Sequence, residues 1–207
     1  FDPNNVKAQQ VELIIEEFNI DYDAIKILLA GRITGWKGHK LLLQAISSII
    51  KKTNHKFEII FVGPDENYKL KTSLKNFANE HNLSKSLHFV GPRNDLNNFY
   101  SLADLVISAS TDPEAFGRIS VEAQAMGKFV IASNHGGSVE TVKDGETGYL
   151  FENNNSEDLC EKIIDAISYE KHKSDKTSEA CISHVREKYS KIKMCEETIN
   201  FYEEVIN

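Results

Sequence analysis

The stretch from Ile25 to Lys52, IKILLA followed by GRITGWKG and HKLLLQAISSIIKK, decides the fold. An uninterrupted apolar run, Ile25 to Ala30, meets Gly31, and a short loop leads to Gly38. From there to about Lys52, residues Leu41, Leu42, Ala45, Ile46 and Ile49 recur at the three- and four-residue spacings that put them on one helical face. Strand, loop, helix is the unit, and it returns twice downstream. Phe57 to Val62 runs into Gly63-Pro64 and a helix over Lys69 to Glu80, and Leu87 to Val90 runs into Gly91-Pro92 and a short helix near Leu96 to Leu102. Further strands are expected at Leu105 to Ser108, Phe129 to Ala132 and Tyr149 to Phe151. Further helices are expected at Gly117 to Met126, Glu157 to Ser168, Thr177 to Lys188 and Lys191 to Val205. Upstream, Val6 to Phe18 carries an apolar stripe of Val11, Ile14, Ile15 and Phe18.

The strands read as solid apolar runs rather than alternating ones, which means that both faces of the sheet are covered. Alternation of strand and helix then implies right-handed βαβ units on a parallel sheet. The expected fold is α/β, a Rossmann-like parallel sheet with helices on both faces. With no Pro/Gly-rich linker in 207 residues, one domain is expected over 1–207.

Composition narrows the function. Lys and Arg number 24 against 31 Asp and Glu, a formal net charge of -7. Such a balance argues against nucleic-acid partners and against broad binding to anionic membranes, both of which lean on a basic face. Any phosphate site must be local. Apolar runs are far shorter than the roughly 20 residues of a membrane span. Cys160, Cys181 and Cys195 are odd in number and lack the C-x-x-C spacing of zinc or redox sites, which fits a reducing, cytoplasmic compartment. Phe1 without an initiator Met or signal segment suggests a processed protein or a piece of a longer one.

In open doubly wound sheets ligands bind beyond the carboxyl ends of the strands. The informative residues follow the strands here: Gly31-Arg32, Gly63-Pro64-Asp65, Gly91-Pro92-Arg93, Ser108-Ala109-Ser110 leading to Glu114, and Asn134-His135-Gly136-Gly137. Each taken alone reads more readily as a turn; their recurrence is the signal. The dinucleotide fingerprint G-x-G-x-x-G fails because no two of the 11 glycines lie two apart, and no G-x-x-x-x-G-K-[ST] occurs.

The strongest local constellation is PEAFGRISVEAQAMG, Pro113 to Gly127. Gly117 stands where a helix begins, and the free N–H groups and dipole of a helix N-terminus favour an anion such as a phosphate. Glu114 in the loop and Glu122 in the second turn form an E-x7-E pair of acceptors able to bracket a phosphorylated sugar ligand. The plain alternatives are an i,i+4 or capping contact for Glu122 and a solvated acid for Glu114. Arg32 and Lys37 supply positive charge, Arg through a planar fork and Lys as a mobile point charge. Trp36 between them reads as a hydrophobic staple of the following helix. His39 reads as exposed, and His135 as a turn residue in preference to a donor contact. Asp21-Tyr22-Asp23 is formally a D-x-D metal motif, but it precedes the first core strand, at the end away from the ligand loops.

Together these motifs resemble the C-terminal, nucleotide-sugar-binding domain of a GT-B glycosyltransferase of family 4, the group 1 transferases. The resemblance covers the whole chain: Phe1-Asp2-Pro3 is similar to the interdomain linker, Gly31 to Gly38 to G-R-x-x-x-x-K-G, and Glu114 to Glu122 to the E-x7-E motif. Gly136-Gly137-Ser138-Val139-Glu140 and Asp144-Gly145-Glu146-Thr147-Gly148 follow in order. It implies a linker and helix over 1–24, C-terminal helices over 156–207 and an acceptor-binding N-terminal domain outside this chain, which alone would bind donor with little or no transfer. It further implies that Arg32 and Lys37 hold the donor diphosphate with the amides near Phe116 and Gly117. Glu122 would accept from the ribose and Glu114 would touch the transferred sugar, with Arg32, Lys37 and Glu114 as the catalytic set. Gly91 and Arg93 would border the base. Family members retain anomeric configuration, need no metal or other cofactor, and the wording of the motifs is similar to enzymes of bacterial lipopolysaccharide or cell-envelope synthesis at the inner face of the cytoplasmic membrane, where any membrane contact would belong to the other half. A non-catalytic nucleotide-sugar-binding module and a GT-B sugar-nucleotide epimerase share the architecture.

Overall fold

The computed structural model describes residues 1–65, 67–170 and 173–206. Among them, β1 (Ile25–Ala30), β2 (Phe57–Val62), β3 (Leu87–Gly91), β4 (Leu105–Ser108), β5 (Val130–Ser133) and β6 (Gly148–Phe151) form one sheet in the order β3-β2-β1-β4-β5-β6. Every pairing is parallel. The helices are α1 (Ala8–Phe18), α2 (His39–Lys52), α3 (Tyr68–Glu80), α4 (Leu96–Leu102), α5 (Arg118–Ala125), α6 (Ser138–Thr141), α7 (Ser156–Ser168), α8 (Asp175–Tyr189) and α9 (Lys191–Ile206). The C-terminal helices expected over 156–207 are thus α7 to α9, with 171, 172 and 207 outside the described residues.

Solid apolar strands build two cores because successive side chains point to opposite faces. Ile27, Leu29, Ile59, Phe61, Leu105 and Ile107 meet Leu41, Ile46, Leu74 and Ile163 of α2, α3 and α7. Leu28, Ala30, Ile60, Val62, Val106 and Val130 meet Ile14, Phe99 and Ala123 of α1, α4 and α5 on the other face. The sheet is therefore doubly wound, as the apolar runs imply.

Differences from the sequence reading are local. Asp2 caps a 3-10 turn over Pro3–Asn5 through the Asn4 N–H, so the first helix begins at Ala8 rather than Val6. The fifth strand is displaced by one residue from Phe129 to Ala132; Phe129 is buried against Tyr149, ring centroids 5.0 Å apart, but precedes the ladder. The one-turn helix α6 was not foreseen, since four residues carry no period.

Strand order positions the site. β1 pairs with β2 from Ile25↔Phe57 to Ala30↔Val62 on one side and with β4 at Ile27↔Leu105 and Leu28↔Val106 on the other. The connection after β1 leads to α2 on one face, and the connection after β4 leads to α5 on the opposite face. A crevice opens where the two loops part, the switch point at which such sheets bind ligands.

Candidate functional site

A cleft of about 530 Å³ occupies this switch point. It is lined from four strand ends: Gly31, Arg32 and Lys37 after β1, Gly63 and Pro64 after β2, Pro92 and Arg93 after β3, and Glu114 to Ile119 with Glu122 after β4. Of the residues singled out in the sequence, Arg32, Lys37, Arg93, Glu114, Phe116, Gly117 and Glu122 all line it. Gly91 does not, contrary to expectation. It ends β3, and its carbonyl is taken by the Gly63 N–H at 2.9 Å, so the wall falls to Pro92 and Arg93 beyond it.

The loop carrying Lys37 is held by close backbone approach. Gly38 has φ +76°, and a Cβ there would lie 1.9 Å from the Ala109 carbonyl oxygen, so glycine alone lets the start of α2 sit against the end of β4. The Thr111 N–H donates to the Trp36 carbonyl at 2.7 Å, joining the two loops. Trp36 is no buried staple: it is 38% exposed, and the Lys37 ammonium lies 4.4 Å from its ring centroid.

Lys37 Nζ also donates to Glu114 Oε1 at 2.7 Å, both side chains being 15% exposed. Ser110 Oγ donates to the same oxygen. The Glu114 carboxylate is therefore neither a solvated loop acid nor alone; it is fixed by the β1 loop and by the β4 end together. Neighbouring backbone keeps it there. The Gly137 N–H donates to the Glu114 carbonyl at 2.8 Å, and a Cβ on Gly137 would meet the Phe116 carbonyl carbon at 2.5 Å.

At α5, Gly117 takes φ +78° as the N-cap, and no side chain caps this end. The first N–H groups of a helix lack intrahelical acceptors, so an open, partly positive terminus stands in the lining of the cleft together with Arg32, Lys37 and Arg118. Glu122, one turn further, accepts from Arg118 at 2.9 Å and from the Tyr100 hydroxyl at 3.0 Å, with its own side chain 12% exposed. The surface i,i+4 contact and the cleft position are thus both present. Arg93 makes two bonds to Asp95, at 2.8 and 2.9 Å, and reaches Glu17 of α1 at 3.3 Å. These carboxylates raise its already high pKa, the Asp95 hydrogen bonds first, and bind the guanidinium to the protein more than to the cleft.

Two histidines fall outside the cleft lining. His135 bonds the Ser110 carbonyl through Nε2 at 2.7 Å, tying the β5 loop to the residue that holds Glu114. His39, read as exposed, is buried at 1% exposure edge-on to Phe61, with ring centroids 4.7 Å apart. It opens α2 on the core-facing side, which its neighbour Lys40 does not. Neither ring nitrogen has a hydrogen-bond partner among the described residues. Asp21 of the D-x-D look-alike bonds the Asp23 N–H and Lys56 before β1, at the opposite end of the sheet. Sequence reasoning missed Ser110 and Tyr100; Ser110 stood in a quoted loop, whereas nothing in the spacing ties Tyr100 to Glu122.

The family described as glycosyl transferases group 1 matches residues 10–187. Over 198 residues the chain is 35% identical to the lipopolysaccharide 1,2-N-acetylglucosaminetransferase of Salmonella typhimurium, covering 92% of this chain and 51% of that protein. A glycosyltransferase structure from Rickettsia africae superimposes with a TM-score of 0.91 at 33% identity, covering 100% of this chain and 54% of that one. The C-terminal domain of a group 1 family protein, LpcC, from Francisella tularensis superimposes with a TM-score of 0.75 at 25% identity, covering 92% of this chain and 99% of that one. The chain spans about half the length of the Salmonella and Rickettsia proteins.

Proposed function

The chain belongs to the group 1 glycosyltransferases, and on that premise we propose that it is the C-terminal, donor-binding half of an enzyme that moves a sugar from a nucleoside-diphosphate sugar to an acceptor hydroxyl. One observation carries the reading: the cations Arg32 and Lys37, the uncapped end of α5 and the acceptor Glu122 line a single cleft at the switch point of the sheet. Cations and free amides suit a diphosphate, and a carboxylate set one helical turn away suits the hydroxyls of the attached ribose.

In this reading Arg32, Lys37 and the α5 terminus hold the diphosphate and stabilise the charge it gains on leaving. They supply the positive charge that the leaving group demands, so the reading calls for no metal and no other cofactor. Glu114 takes a hydroxyl of the transferred sugar with the oxygen that Lys37 and Ser110 leave unused. The base lies toward Pro92 and Arg93. The bond from the anomeric carbon to the diphosphate oxygen breaks, the electron pair leaving with the diphosphate. The acceptor oxygen bonds to that carbon, its proton passing to the departing phosphate, with retention of configuration. The acceptor and the other wall of the active site belong to an N-terminal domain. Similarity to the Salmonella enzyme favours lipopolysaccharide or another cell-envelope glycan as product, made on the cytoplasmic side of the membrane; among the described residues no helix is long and apolar enough to cross it.

Calorimetric titration of UDP, GDP and ADP and their sugar conjugates into the chain tests this. One base should bind saturably, and Arg32→Ala and Glu122→Ala should each weaken it about tenfold or more, the loss of a charge-assisted hydrogen bond. A folded sample that binds none of them would overturn the reading.

A further inference from the structure

Resting on the donor-site reading, we infer that Tyr100 is a positioning residue for nucleotide recognition, holding the Glu122 carboxylate in the orientation that receives the two ribose hydroxyls. Tyr100 lies on α4, outside the cleft lining, and its ring is fully buried in the core beneath β1 and β4. A buried tyrosine hydroxyl needs a partner, and this one finds a carboxylate facing the cleft: it donates to Glu122 Oε2 at 3.0 Å.

The two donors on Glu122 differ in kind. Arg118, which takes Oε1 at 2.9 Å, is 81% exposed and belongs to the same helix, so it moves with solvent. Tyr100 is locked by packing on all sides, with Phe1 edge-on to its ring at a 5.5 Å centroid distance. A carboxylate offers about four lone-pair sites. With one oxygen pinned by a rigid phenol, rotation about the carboxylate's terminal torsion is stopped, and the remaining sites present a fixed pair of acceptors to a vicinal diol. Burial and the Glu122 charge both raise the phenol's pKa, so it stays a donor across the physiological range. Preorganising an acceptor in this way removes part of the ordering cost of binding.

The consequence is specific to hydroxyls. Tyr100→Phe keeps the ring and deletes only the donor. It should weaken the nucleoside diphosphate that binds by about fivefold to tenfold, the order of the cost of ordering one side chain on binding, while leaving the affinity for the 2′,3′-dideoxy form of the same nucleotide unchanged. The readout is the dissociation constant of the dideoxy form divided by that of the ribose form, for wild type, Tyr100→Phe and Glu122→Ala, using UDP, GDP or ADP, with thermal melting of each variant alongside. A ratio that falls in both variants supports the assignment. A ratio that falls in Glu122→Ala alone overturns it and leaves the donor site standing, as does equal weakening of both ligands by Tyr100→Phe, the mark of a merely structural role. A ratio unmoved by either variant, or no preference for ribose in the wild type, removes the ribose contact and the positioning role with it. Should Tyr100→Phe melt below the assay temperature, Arg118→Ala supplies the counterpart: a loss of hydroxyl preference there as large as in Glu122→Ala would overturn the dominance of Tyr100, and a smaller one supports it.

Discussion

At the scale of single residues, environment decides what a side chain type can do. Lys37 and Glu114 were legible as candidates because their types stand after strands, yet their 2.7 Å pair joins residues 77 positions apart and could come only from the fold. His39 shows the converse. Nothing in its sequence position distinguishes an exposed helix start from a buried one; the roll of α2 against β2 carries the ring inward. Burial pushes its pKa down to about 4, with the Lys37 charge adding to the effect. The unfolded chain, with an ordinary value of 6.5, takes up a proton that the folded one refuses. The sign is therefore fixed: stability is whole above pH 6.5 and falls as the pH drops toward 4, by on the order of 3 kcal/mol for this group. Urea unfolding at pH 7.5 and 5 should show this slope, and His39→Leu should flatten it. The same substitution should cost little at pH 7.5, because both ring nitrogens lack partners and their removal loses no hydrogen bond.

At the scale of elements, strands and long helices were legible nearly to the residue, because a strand covered on both faces must be apolar throughout and a helix of three turns must show its period. Where those reasons fail, so did the reading. α6 is one turn long, and Phe129 is apolar for core packing without belonging to a strand. Yet α6 matters to the site, since its N-terminal glycines back the 114–117 loop. Gly137 has an ordinary φ of -62°, so alanine meets no backbone strain there. Its Cβ would instead push on the Phe116 carbonyl carbon from 2.5 Å. Gly137→Ala is expected to destabilise the fold by about 1–3 kcal/mol, the usual range for overpacking, and to weaken nucleotide binding more than tenfold by displacing Glu114 and Gly117. Melting and calorimetry on one sample separate the two effects; intact affinity would show that the loop does not rest on this contact.

At the scale of the molecule, two cores on one sheet let the chain fold by itself, and in the proposed reading its cleft is completed by a second domain. The isolated chain should unfold in one cooperative step and bind donor nucleotide, yet transfer no sugar to added acceptors. Release of free nucleotide from its sugar conjugate, followed with and without the remainder of a full-length protein, checks this. Nucleotide release by the chain alone that depends on added acceptor would show that the acceptor site lies within it. The sequence by itself determined the class of fold, the extent of most elements and the residue types of the site, since apolar runs, helical period and residues placed after strands are local properties. Only the tertiary structure decided the order β3-β2-β1-β4-β5-β6. That order sets the β1 and β4 loops side by side, brings Lys37 to Glu114 and Tyr100 to Glu122, and turns His39 inward. These are contacts between distant segments, and they are set by how the elements pack, which no spacing along the chain records.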